Sequence, residues 1–256
     1  GAAGFLAMDA IRKSATDGHD LLIADTAQMA INSTLFKKLP YDPEKDVAPI
    51  GVVAYAPFIV TVGGNSPVNS IRELIAAAKA APGKYSFAHP GIGTVQHLGG
   101  AMFEFATDIN ELHVPFKDFG QLMTAVAAGE VSWTFSTIGS SRSFAQAKRV
   151  KLIAVAVKNR LPALPDVPTV AEAGGPADFE VRSWIAMYAP AGVPADVIAK
   201  ISQEVQKSLQ QPALRERLQA LGLEPGGGSP ADLAQLMRID TKRWGDVIRR
   251  TGASAD

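Results

Sequence analysis

The sequence predicts an α/β fold with largely parallel sheets, and three observations carry that prediction. Short apolar runs of strand length alternate with segments whose apolar residues recur at helical spacing. Capping signatures open several of the helical segments, Ser70 with Glu73 and Ser229-Pro230 with Asp232 among them. No internal repeat or low-complexity stretch interrupts the alternation.

The elements follow in order. Ala7, Met8, Ile11 and Ala15 form a helical stripe, punctuated by Asp17-Gly18, and Leu21 to Ala24 reads as a buried strand. Ile50 to Ala54 and Phe58 to Val62 are further strands. Ser70 and Glu73 open a helix from Ile71 to Ala81, which Pro82-Gly83 stops. Tyr85 to Ala88 is a short strand, and Gly91-Ile92-Gly93-Thr94 opens a helix with Val95, Leu98, Met102 and Phe105 as its apolar spots. Leu112 to Val114 is a strand, Leu122 to Ala128 a helix ended by Gly129, and Val131 to Phe135 and Leu152 to Val157 are strands again.

Arg160 to Gly174 reads RLPALPDVPTVAEAG. Pro162, Pro165 and Pro168 each fix φ and remove a donor, which excludes a helix interior or a central strand. Thr169 and Glu172 are spaced as a capping box and Gly174 as a stop, so the segment is a rigid connector feeding one short helix. Trp184 to Ala189 is the last strand. Val197, Ile198, Ile201, Val205 and Leu209 line one helix face, and Leu214, Leu218 and Leu221 another. Gly226-Gly227-Gly228 reads as a flexible turn before a long helix whose stripe, Leu233 to Ile248, is interrupted by Asp240.

Composition narrows the function. A chain of 256 residues has room for one large domain or two modest lobes. Its 25 basic and 25 acidic residues cancel, leaving no global field for nucleic acid or an anionic membrane. There is no cysteine, hence no disulfide, thiolate metal site or cysteine nucleophile. No apolar run is long enough to span a bilayer, and the N-terminal residues lack the order of a signal peptide.

Candidate binding residues cluster in one loop, His89-Pro90-Gly91-Ile92-Gly93-Thr94. It lies between a strand and a helix, where the first amides have no intrahelical partner and the helix dipole favours an anion. The same pattern also fits a tight turn with a capped helix. It is not a dinucleotide fingerprint, because Gln96 stands at the third glycine position, and no other motif asks for a cofactor. Thr26 follows a strand, where open α/β sheets place ligands; its hydroxyl either donates to a carboxylate or caps the next helix. Ser136 holds an analogous place. His19, His89, His97 and His113 show no spacing that puts two ligands on one helix face, so no metal is expected. His89 reads either as a donor to the ligand or as a solvent-facing loop residue. Gly139-Ser140-Ser141-Arg142-Ser143 lacks the second glycine of a nucleophile elbow, and no catalytic constellation stands out.

LPDVPTVAEAG resembles the hallmark of the Bug/TctC-type solute receptors, the substrate-binding proteins of tripartite tricarboxylate transporters. Further segments agree in the same order, among them SIRELIAAAKAAPGKYSFAHPGIGTVQHLGG, LHVPF and WIAMYAPAGVP, so the resemblance runs over essentially the whole chain. It implies a two-lobed fold like that of a type II periplasmic binding protein, each lobe a mostly parallel sheet flanked by helices. Projected here, lobe I comprises residues 1–57 and 158–256 and lobe II residues 58–157, with crossing strands near Phe58 to Val62 and Leu152 to Val157.

The resemblance further implies a non-catalytic, periplasmic receptor that captures a small organic acid between its lobes and delivers it to membrane transporter subunits. In the family the loop corresponding to His89–Thr94 holds a carboxylate, and the residues expected at the ligand are Thr26, His89, Gly91, Ile92, Gly93, Thr94 and Ser136, with no metal, cofactor or nucleic acid. Many relatives carry Asp-Asn where this chain has Ser136-Thr137, which removes an anion and favours a second carboxylate or a neutral tail. The alternatives are an enzyme on the same scaffold, which needs an acid, base or nucleophile not found here, and a ligand-sensing regulatory domain. Relatives also begin with a strand, a Pro/Gly-rich loop and a helix before the stretch that Gly1-Ala2-Ala3-Gly4 resembles. The given sequence lacks that leader, so the expectation for this exact chain is weak carboxylate binding.

Overall fold

The computed structural model describes residues 4–255; Gly1–Ala3, within the glycine-rich opening, and Asp256 lie outside the described residues. In chain order the elements begin with α1 (Phe5–Lys13), β1 (Leu22–Asp25), a π-helical turn (Ala27–Ile31), α2 (Asn32–Leu35), β2 (Val47–Pro57) and β3 (Ile59–Gly63). Next come α3 (Ile71–Ala80), β4 (Ser86–His89), α4 (Val95–Thr107), β5 (Leu112–Pro115), α5 (Phe119–Ala128), β6 (Trp133–Ser136), α6 (Ile138–Gln146) and β7 (Val150–Val155). The chain closes with β8 (Arg182–Pro190), α7 (Ala195–Gln210), α8 (Pro212–Ala220), β9 (Glu224–Gly227) and α9 (Pro230–Thr251).

Two compact units result, Gly1–Ala56 with Ser183–Asp256, and Pro57–Arg182. The first holds a four-stranded sheet in the order β1-β8-β2-β9, with β1 antiparallel to β8 and β2 antiparallel to β9. Its core includes the fully buried Trp184, Tyr188 and Trp244. Asp240 breaks the apolar stripe of α9 for a reason: it is buried and its Oδ2 accepts from the Trp184 indole N–H at 2.7 Å. A buried indole N–H without a partner would be costly, and a carboxylate removes that cost. Gly226 is part of a strand rather than a free turn, because a Cβ there would run into the backbone of Val52 on β2.

The second unit holds a five-stranded sheet in the order β5-β4-β6-β3-β7. β4 runs parallel to both β5 and β6, whereas β3 is antiparallel to β6 and β7. The five-stranded sheet is therefore mixed, and β1–β8 and β2–β9 of the other sheet are antiparallel, where the sequence led to an expectation of largely parallel sheets. Helical crossovers join β4, β5 and β6 and keep them parallel; β3 arrives directly from β2 and runs against its neighbours.

Residues 158–182 pack with this second unit, not with the first as the projected boundary has it. Val155 N–H donates to Pro168 O at 2.8 Å, Val170 N–H returns to Val155 O at 3.0 Å, and Val181 N–H donates to Ala156 O at 2.8 Å. β7 is consequently an ordinary strand of the five-stranded sheet, and the return passage lies at Arg182–Ser183 instead of Leu152–Val157. The short helix expected after Thr169 is a single helical turn. Its capping box forms, with Thr169 N–H donating to Glu172 Oε2 at 2.8 Å and Glu172 N–H to Thr169 Oγ1 at 3.2 Å, but Gly174 and Gly175 end it at once.

Candidate functional site

The local logic of the second unit converges on the carboxyl ends of β4 and β6. These neighbours are parallel, with Phe87 opposite Trp133 and Ala88 opposite Thr134. Each leads into a helix, β4 into α4 and β6 into α6. Both helices are capped by threonine: Thr94 Oγ1 accepts from His97 N–H at 3.2 Å, and Thr137 Oγ1 accepts from Ser140 N–H at 3.3 Å. The remaining first-turn amides and the positive ends of two helix dipoles thus lie at the ends of adjacent strands, where open α/β sheets bind ligands.

The glycine loop is shaped for close backbone approach. Gly91 and Gly93 have φ of 129° and 78°, in the region that favours glycine, and open space lies where a Cβ of Gly91 would stand. Ile92 between them is exposed. Thr94 Oγ1 donates to Gly91 O at 2.8 Å and closes the turn. The loop amides also meet imidazoles: Gly91 N–H donates to His89 Nδ1 and Gly93 N–H to His97 Nδ1, each at 3.3 Å.

His89 is no solvent-facing loop residue; it ends β4 with 2% of its surface exposed. Burial holds its pKa down at about 4, and burial does the same to His97. Both rings are neutral near pH 7.

Three of the four histidines come together, which spacing along the chain could not reveal because they lie on three elements. Phe87 and His89 share one face of β4, and His113 on β5 lies opposite Phe87. Across that face runs the α4 stripe His97, Gly100 and Glu104. Gly100 makes the approach possible, since a Cβ there would run into the Phe87 ring. The His89 and His97 rings stand 4.5 Å apart by centroid, with His113 at 5.7 and 5.5 Å from them. His113 Nε2 pairs with Glu104 Oε2 at 2.8 Å. His19 is apart from these, an exposed residue beside Asp17.

Ser136 ends β6, fully buried, with its hydroxyl 2.7 Å from that of Thr61 on β3. Thr26 belongs to the first unit. Its buried Oγ1 accepts from Trp184 N–H at 2.9 Å and from Ser183 Oγ at 3.2 Å, and donates to Trp184 O at 3.4 Å. The cap of the turn that follows is Asp25, whose Oδ1 accepts from Ala27 N–H at 2.7 Å. Thr26 ties β1 to β8 and neither caps nor presents its hydroxyl. Among the expected site residues, the structure therefore groups His89, Gly91, Ile92, Gly93, Thr94 and Ser136 at neighbouring strand ends. The sequence reading missed His97 and His113 as their neighbours.

Comparison with known proteins agrees with this architecture. The chain matches the tripartite tricarboxylate transporter family receptor over residues 1–253. It is 34% identical over 248 residues to a UPF0065 protein from the tcbD-tcbE intergenic region of Pseudomonas sp. (strain P51), covering 97% of this chain and 74% of that relative. Protein BugT of Bordetella pertussis is 29% identical over 99% of this chain and 78% of its own. Among solved structures, R. palustris Rpa4515 with adipate has a TM-score of 0.87 at 29% identity, over 99% of this chain and 85% of that one. MatC from Rhodopseudomonas palustris with bound malate has a TM-score of 0.79 at 30% identity, over 97% and 85%. The two-sheet α/β architecture, the match along nearly the whole chain and these structural likenesses agree: the chain belongs to the tripartite tricarboxylate transporter receptor family.

Proposed function

We propose that this protein is a periplasmic receptor that captures a small organic carboxylate, without transforming it, for the membrane subunits of a tripartite transporter. The observation that carries the reading is the pairing of two capped helix N-termini, those of α4 and α6, at the ends of adjacent parallel strands. A carboxylate there meets backbone N–H donors and two favourable dipoles, with the glycine loop allowing close approach. Relatives with adipate or malate bound support a dicarboxylate as the class of ligand.

The test is calorimetric titration with adipate and malate, after a thermal-shift screen over small carboxylates, amines and sugars. Gly93→Val would block approach but also strain a backbone at φ 78°. Ile92→Asp is cleaner, because it adds a like charge at an exposed position of the loop. We expect about 10-fold or greater loss of dicarboxylate affinity at low salt with an unchanged melting temperature, a difference of roughly 1.4 kcal/mol. Unchanged affinity in Ile92→Asp would remove this loop from the site. Shifts with amines or sugars but with no carboxylate would overturn the anion reading.

A further inference from the structure

We infer that His89, His97 and His113 form a binding site for a divalent first-row transition metal of the zinc and cobalt class. One ring nitrogen from each of the three lies within 4.8 Å of those of the other two. Three imidazoles at about 2.1 Å from one ion stand roughly 3.4 Å apart, so a small rotation of the rings closes the site. Three imidazole nitrogen donors, with the remaining position open to water, are a set that zinc, cobalt, nickel or copper accepts and that magnesium or calcium does not.

The surroundings meet the other requirements of such a site. His113 is oriented through its Nε2 by Glu104 at 2.8 Å, which leaves Nδ1 as the ligand atom and supplies the carboxylate behind it. Phe87 packs against the His89 and His113 rings, which makes the floor of the site apolar and rigid. β5 is an edge strand and the His113 side chain keeps 24% of its surface exposed, which provides an entry path.

Ligation changes the glycine loop. His89 and His97 now accept from Gly91 and Gly93 N–H through Nδ1. If Nδ1 binds the metal its lone pair is taken; if Nε2 binds, the ring proton moves to Nδ1. Either way the amides are released. Both contacts are 3.3 Å long, at the weak end for such bonds, so little is lost in giving them up.

The experiment uses untagged protein, stripped with chelator and free of carboxylate ligands, titrated with Co2+ and with Zn2+. We expect one tight site per chain, with the visible absorption of cobalt held by nitrogen donors. His97→Gln and His113→Gln should each weaken it by about 100-fold or more, while His19→Gln, altering an exposed histidine elsewhere, leaves it unchanged. Glu104→Gln should weaken it by about 10- to 100-fold and alter the cobalt spectrum, which a merely structural role would not do. Circular dichroism of each variant in chelator separates loss of metal from loss of fold; should His97→Gln fail to fold, His113→Gln on the edge strand decides. No site in the wild type, or one that the folded His113→Gln variant retains, would overturn the inference. Ile92→Asp, which tests the carboxylate loop, should still bind cobalt, so the two readings fail independently.

Discussion

The indole N–H of Trp133 donates to Glu111 Oε1 at 2.7 Å, while Glu111 Oε2 is buried with no hydrogen-bond partner among the described residues. Burial, aided by the nearby Glu104 carboxylate, pushes the Glu111 pKa up to about 8 although the Trp133 bond opposes it. Glu111 is therefore largely protonated in the folded protein near neutral pH, whereas it is ionised in the unfolded chain.

The pH dependence follows from that difference. A carboxyl whose folded pKa lies above its unfolded value of about 4.5 stabilises fully below pH 4.5, and the benefit is lost as pH rises through about 8. Glu111→Gln keeps the acceptor for Trp133 and cannot ionise. Urea unfolding between pH 5 and 9 should show the variant gaining on the wild type toward high pH, by on the order of 2–4 kcal/mol at pH 9. Parallel curves would mean that Glu111 is ionised in the fold.

The histidines work in the opposite direction. Their folded pKa of about 4 lies below the ordinary 6.5, so their contribution is complete above pH 6.5 and lost as pH falls through about 4. In chelator, His97→Gln should flatten the decline in unfolding free energy from urea titrations between pH 6.5 and 4.5 by on the order of 1 kcal/mol, after allowance for partial exposure of the ring. An equally steep decline in the variant would contradict neutral burial.

Gly100 and Phe87 set the separation of α4 from the sheet. Gly100→Ala drives a methyl into the Phe87 ring, and overpacking of this kind costs about 1–3 kcal/mol. Chemical denaturation should show that loss even though alanine is the better helix former. A neutral or stabilising outcome would show that α4 moves away from β4 without penalty.

Thr26 is a structural residue of the first unit. Thr26→Val leaves the buried Trp184 N–H without its acceptor, at a cost of about 1–3 kcal/mol. Thr26→Ser keeps the hydroxyl and should recover most of that loss in a thermal melt. Equal stability of the valine and serine variants would free Thr26 for a role at the ligand.

The sequence by itself determined the alternation of elements, the caps at Ser70, Thr94 and Ser229, the Thr169–Glu172 box and the place of the glycine loop between a strand and a helix start. These are local: periodicity, φ preference and the hydrogen bonding of a helix start act within a few residues. Whatever depends on which strand lies beside which was decided by tertiary structure alone. Only the fold shows that β3 runs against β6 and β7, that residues 158–182 pack with the second unit, and that Asp240 interrupts its helix to meet Trp184 56 positions away. The histidine cluster is the sharpest case. The register of β4 against β5 and the removal of a side chain at Gly100 bring His89, His97 and His113 together, and neither leaves any trace in their spacing along the chain.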